Sequence, residues 1–158
     1  MIKDKVSLLI KLSNNNNFTI SVAESCTGGL LSSSIIEQSG ASNIFNSGFV
    51  TYSNTAKIKI LNVDKKLIDM FGAVSKETSL AMARGLYVKT KSNLIVSITG
   101  VAGPNGGTKN NPIGTVYFTF GIKESNKDII YITNKMTFNL KSRLKIQKKS
   151  VNYVLSQF

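Results

Sequence analysis

Residues 93–100, NLIVSITG, form a nearly continuous apolar run ending in glycine. A strand that reads this way is expected to be covered on both faces, in the middle of a sheet. The segments around it alternate in character. Residues 18–23, FTISVA, and 45–52, FNSGFVTY, are β-rich. Residues 113–122 and 128–138 predict an antiparallel hairpin around Lys123–Lys127. Helical spacing predicts helices between and around these strands, and alternation of this kind predicts an α/β fold with a mixed sheet.

The helices carry their own start and stop signals. After Thr27, Gly28 and Gly29, LLSSSIIEQ continues as a helix with a stripe at Leu30, Leu31, Ile35 and Ile36, ended by Gly40. Ser53 or Asn54 caps the short helix TAKIKIL, and KKLIDMF stops at Gly72. Ser75 caps a longer helix whose apolar face is read as Leu80, Ala83 and Tyr87. The final segment, from Lys141, predicts an amphipathic helix with Leu144, Val151 and Leu155 on its apolar side. The N-terminal segment is amphipathic too, interrupted by Lys3, Asp4, Lys5 and Lys11, and lacks the uninterrupted apolar core of a signal peptide.

The chain has 158 residues, the size of one domain spanning 1–158. No apolar run approaches the ~20 residues needed to span a bilayer, so the cytoplasm is the expected location. The single cysteine, Cys26, excludes an internal disulfide. There is no histidine, which excludes a Ser-His-Asp triad and a Cys-His pair. Acid–base chemistry falls to Lys, Tyr, Asp, Glu or Cys. The net charge is +12, half of it from Lys123 onward, where eight basic residues face two acidic ones. The lysines are scattered and match no nucleic-acid motif, so they read as a solvated surface whose field attracts a phosphorylated small molecule.

Three stretches carry chemistry. In SVAESCTGG, residues 21–29, Ser25 or Cys26 lies at a strand end before a helix, where α/β proteins place their sites. The N–H groups of Thr27, Gly28 and Gly29 are expected to face an oxyanion or phosphate; a turn that simply packs strand on helix has the same composition. The loop Gly100–Pro112, with four glycines and two prolines, also follows a strand and is long for a plain connection. It has neither a Walker A ending nor GxGxxG spacing, and reads as a ligand-binding loop. In GFVTYSNTAKIKIL, Lys57 lies near a helix start, where a cation is disfavoured. Buried there, its amine is expected to lose its proton readily and act as a base; in solvent it would be an ordinary lysine. Lys59, on another face, is the local control.

Together, SVAESCTGGLL, GFVTYSNTAKIKIL, FGAVSKETSLAMA and SITGVAGPNGGTKNNPIGTVYF resemble the CinA C-terminal domain, the nicotinamide-nucleotide amidohydrolase family, from about residue 5 to 157. The resemblance implies a three-layer α/β/α sandwich and hydrolysis of the carboxamide of nicotinamide mononucleotide to nicotinate mononucleotide and ammonia. It implies Ser25 as nucleophile, with Tyr52 and Lys57 as catalytic partners and the proton passing to Lys57 directly or through Tyr52. It assigns Gly100, Gly103, Asn105 and Gly106 to a nucleotide-binding loop and adds Arg143 as a substrate contact, with Thr27, Gly28 and Gly29 around the oxyanion. It implies no cofactor and no metal. A pyridine mononucleotide is the expected partner, together with a second copy of the chain in a homo-oligomer. Family members often carry two arginines one turn apart on the last helix. Here Arg143 matches the first and Gln147 replaces the second, a departure that bears on phosphate affinity or subunit packing. The competing readings are a nucleotide-binding relative with little turnover and, behind it, a basic nucleic-acid accessory protein.

Overall fold

A computed structural model describes all residues, Met1–Phe158. Its sheet has five strands in the order β2-β1-β3-β4-β5: β1 Ile20–Glu24, β2 Phe45–Val50, β3 Leu94–Gly100, β4 Thr115–Ile122 and β5 Ile130–Thr137. β1 pairs in parallel with β2 and β3, while β3, β4 and β5 are joined antiparallel. The sheet is mixed, as expected, and β3 is central and buried along all but its last residue.

Helices cover both faces. α1 Ile2–Asn16, α2 Leu30–Ile36 and α6 Arg143–Leu155 pack on one side, and α3 Asn54–Leu61, α4 Lys65–Phe71 and α5 Lys76–Thr90 on the other. Strand alternation divides the core accordingly. Ile20, Val22, Val96, Ile98, Val116 and Phe118 pack with Val6, Leu9, Leu31, Ile146 and Val154 beneath the first layer. A smaller cluster of Ala23, Ile95, Leu61, Ile68, Met82 and Leu86 lies beneath the second.

That second face explains where helix stripes differ from expectation. Of Leu80, Ala83 and Tyr87, only Ala83 is buried; α5 turns Thr78, Ser79, Met82, Ala83 and Leu86 inward. The strands present hydroxyls there: Ser79 Oγ bonds Ser97 Oγ at 3.2 Å and Thr119 Oγ1 at 2.8 Å. Burying a hydroxyl unpaired is costly, so helix and sheet meet where hydroxyls find each other. Gly85 completes the fit, because a Cβ there would stand 1.8 Å from the Leu61 carbonyl oxygen. On the other face α2 buries Leu31 and Ile35 but leaves Ile36 exposed, and α6 buries Ile146, Val151, Val154 and Leu155 while Leu144 faces out. Ser53, not Asn54, caps α3 by accepting from the Ala56 N–H.

Register sets the site. Glu24 lies opposite Val50 in β2 and Ile98 in β3, so β1 and β2 end level while β3 runs two residues further, to Gly100. The Ser25 N–H donates to the Ile98 carbonyl (3.0 Å) and the Thr51 N–H to the Glu24 carbonyl (2.8 Å), one step beyond the strand ends. The chain leaves β1 for β2 on one side, and β3 flanks β1 on the other. A crevice at such a reversal is where open α/β sheets bind ligands.

Candidate active site

Glu24 is fully buried, and its carboxylate accepts the N–H groups of Leu31 (3.0 Å) and Ser32 (2.8 Å) and the Ser32 hydroxyl (2.7 Å). It therefore caps α2 from the end of β1 and draws strand and helix together across a tight turn. Gly28 (φ 63°) and Gly29 (φ 93°) reverse the chain in the left-handed region that glycine enters freely. The Gly28 N–H donates to the Ser25 carbonyl, and the Leu30 N–H to the Thr27 carbonyl.

The result departs from the expected anion cradle. The α2 terminus already holds a carboxylate, and the Gly28 N–H is occupied within the turn. Neither Gly28 nor Gly29 borders the cavity next to Ser25, and Thr27 is buried away from it with its hydroxyl unpartnered. The N–H groups of Cys26, Thr27 and Gly29 reach no acceptor on another residue, and of these three residues only Cys26 lines the cavity. Its thiol is only 4% exposed, and burial pushes it up to about 12, so it stays protonated at neutral pH. A thiol is a nucleophile as its thiolate, so Ser25 is the better-equipped neighbour.

Lys57 enters from α3. It is 1% exposed, with Nζ 3.0 Å from Ser25 Oγ, 2.9 Å from the Thr51 carbonyl and 3.4 Å from the Tyr52 carbonyl. It forms no salt bridge. Burial, opposed by Cys26, holds the ammonium below its ordinary value of 10.5. Lys59, two residues on, is exposed.

Tyr52 does not stand between the two. Its side chain is 62% exposed at the rim, and its hydroxyl accepts from Arg143 Nη2 (3.0 Å). A relay through Tyr52 is thus replaced by direct Ser25–Lys57 contact. Arg143 Nη1 donates to the Gly103 carbonyl (2.8 Å), tying the glycine-rich loop to α6 and to Tyr52. The loop is held at its far end as well, where Asn111 Nδ2 donates to the Val74 carbonyl (2.8 Å).

These elements enclose a cavity of about 310 Å³ bordered by Ser25, Lys57, Tyr52, Arg143 and the loop residues Gly100, Gly103, Asn105 and Gly106. The backbone N–H groups of Ala102, Gly103, Asn105 and Gly106 have no acceptor within the protein. A run of free N–H groups beside an arginine suits an anion such as a phosphate.

The profile of the CinA C-terminal domain matches residues 3–158. The chain belongs to the CinA C-terminal domain family. A CinA-like protein of Fervidobacterium nodosum is 42% identical over 149 residues, 94% of this chain and 35% of that protein. The chain spans about a third, or less, of the length of the curated relatives it matches. The crystal structure of competence/damage inducible protein CihA from Agrobacterium tumefaciens superposes with a TM-score of 0.91 at 33% identity, covering 99% of this chain and 92% of that one. A CinA superfamily protein from Escherichia coli gives 0.92 at 30% identity over 99% of this chain and 88% of that one.

Within this CinA domain, Asn54, Ala73, Val74 and Thr99 also border the cavity, although sequence reasoning did not single them out. Asn54 lies inside the TYSNTAK stretch, and Ala73 and Val74 inside FGAVSKE, both among the segments that carry the family resemblance. Thr99 was hidden in the apolar run of β3, where its hydroxyl donates to the Ala73 carbonyl (2.7 Å).

Proposed function

We propose that this CinA domain hydrolyses the carboxamide of nicotinamide mononucleotide, giving nicotinate mononucleotide and ammonia, with Ser25 as nucleophile and Lys57 as base. The observation that carries the reading is the 3.0 Å contact between Ser25 Oγ and a buried, salt-bridge-free Lys57 at the wall of the cavity. A buried amine with a depressed proton affinity suits general-base work, which contributes about 10²–10⁴ in rate.

Unprotonated Lys57 takes the Ser25 proton as Oγ bonds to the carboxamide carbon. The carbonyl oxygen becomes an oxyanion, stabilised by backbone N–H groups. Lys57 then gives its proton to the departing nitrogen, the C–N bond breaks and ammonia leaves an acyl-Ser25. Water adds to that ester with Lys57 again as base, restoring the serine and releasing the carboxylate. The free N–H groups of the glycine-rich loop and the Arg143 guanidinium suit the nucleotide phosphate. The positive pyridinium ring withdraws electrons from the carboxamide and favours attack.

Ammonia release from nicotinamide mononucleotide by the wild type and Ser25→Ala tests the proposal. Release lost in the variant supports it. Nucleotide binding without release from the folded wild type overturns it in favour of a binding protein.

A further inference from the structure

Gln147 lies on α6, one turn after Arg143, and its Nε2 donates to the Cys26 carbonyl at 2.8 Å. It thereby links two segments 121 positions apart, the last helix and the nucleophile turn. That contact closes a set of restraints on the turn. The peptide between Ser25 and Cys26 is fixed by its carbonyl, which accepts from the Gly28 N–H. The next peptide, between Cys26 and Thr27, is fixed by Gln147. In a trans peptide the N–H points opposite to the C=O, so fixing a carbonyl also aims the N–H of the same plane. The Ser25 carbonyl turned toward Gly28 aims the Cys26 N–H away from the turn. With both flanking planes held, the backbone dihedrals of Cys26 have no freedom left.

We propose that Gln147 is a positioning residue for the nucleophile: by holding the Cys26–Thr27 plane it pins the Cys26 dihedrals and so steadies the adjoining Ser25–Cys26 plane, whose N–H serves as an oxyanion donor beside Ser25. The proposal rests on the amidohydrolase reading above. It separates two roles for this helix. Arg143 and the glycine-rich loop act on ground-state binding, whereas Gln147 acts on the transition state through a backbone it never leaves. An oxyanion donor works when it is already aimed at the developing charge, and small misplacements of reacting groups are costly.

The test compares wild type with Gln147→Met, which keeps length and helix propensity but removes the donor. The expected result is a fall in kcat of about 10- to 100-fold for nicotinamide mononucleotide, with KM unchanged within about two-fold. A rise in KM with kcat intact would instead make Gln147 a substrate contact and overturn the proposal, as would no change in either. Should the methionine variant fail to fold, Gln147→Leu carries the same comparison, since it removes the donor without adding charge beside Arg143.

A second readout is independent of the nucleotide. A fluorophosphonate forms a bond from Ser25 Oγ to phosphorus as fluoride leaves and Lys57 takes the proton; intact mass follows the rate. Slower labelling in the variant supports the positioning role, and equal labelling opposes it. A wild type that labels at Ser25 but releases no ammonia refutes the nucleotide substrate and leaves the labelling rates to decide Gln147. A wild type that does neither refutes both.

Discussion

Two glycine-bearing turns follow parallel strands here, and in sequence they look like the same device. The turn after β1 contains Gly28 and Gly29; the loop after β3 contains Gly103, Gly106 and Gly107. Their hydrogen bonding differs. In the first, Glu24 takes the N–H groups at the start of α2, and the Gly28 N–H closes on Ser25. In the second, the N–H groups of four cavity-lining residues remain free, against one such residue, Cys26, in the first; Arg143 ties the loop to α6 and its own Asn111 ties it to Val74. On the proposed function, the first turn supplies rigidity around the nucleophile and the second supplies contact with the ligand. A small-residue turn becomes a binding loop only where its backbone donors have no internal partner.

The largest expected effect breaks the first turn at its chemistry. Ser25→Ala should lower kcat by about 10³-fold or more, whereas Cys26→Ala, one residue on, should keep activity within about ten-fold, because its thiol stays protonated. Activity assays on both variants check this. Lys57→Met should be as inactive as Ser25→Ala, yet more stable: it removes a buried amine that has no carboxylate partner. A gain of about 1 kcal/mol would raise Tm by about 2–4 °C, measurable by thermal denaturation.

The same lysine sets the pH dependence. Its proton affinity is lowered in the folded state, so the unfolded chain binds the extra proton between that lowered value and 10.5. Stability should therefore rise with pH through that window, and activity should rise with it as the base form appears. Above 9.0 the Cys26 thiol opposes the trend, because only the unfolded chain then loses that proton. A stability–pH profile of Lys57→Met that keeps the same rise would refute this account.

Smaller effects sharpen the contrast between the glycines. Gly103→Ala places a Cβ 2.8 Å from Ile113 Cγ2 at a φ of 75°, in a loop held by Arg143. It should raise KM several-fold with a lesser effect on kcat. Gly28→Ala meets nothing within 4 Å and bears only the left-handed backbone cost at φ 63°, about 1 kcal/mol. It should lower Tm by a few degrees and leave KM unchanged. Steady-state kinetics and melting curves on the pair decide whether the two turns divide the work as described.

The sequence by itself determined the element order and the central strand, because β3 announces a strand buried on both faces and local caps such as Ser75 fix helix starts. The absence of histidine narrowed the bases to a few residue types, but composition and spacing left Ser25 and Cys26 level as nucleophile, and it was the family resemblance that implied Ser25 with Lys57. Tertiary structure decided the rest. Only the level ending of β1 and β2 sets Lys57 Nζ against Ser25 Oγ across 32 positions. Only packing of α6 on the turn puts Arg143 on Gly103 and Gln147 on Cys26. Which backbone donors stay free depends on partners distant in the chain, such as the carboxylate of Glu24 seven and eight residues before the groups it caps. Periodicity and propensity are local properties, whereas hydrogen-bond satisfaction is settled by the whole fold.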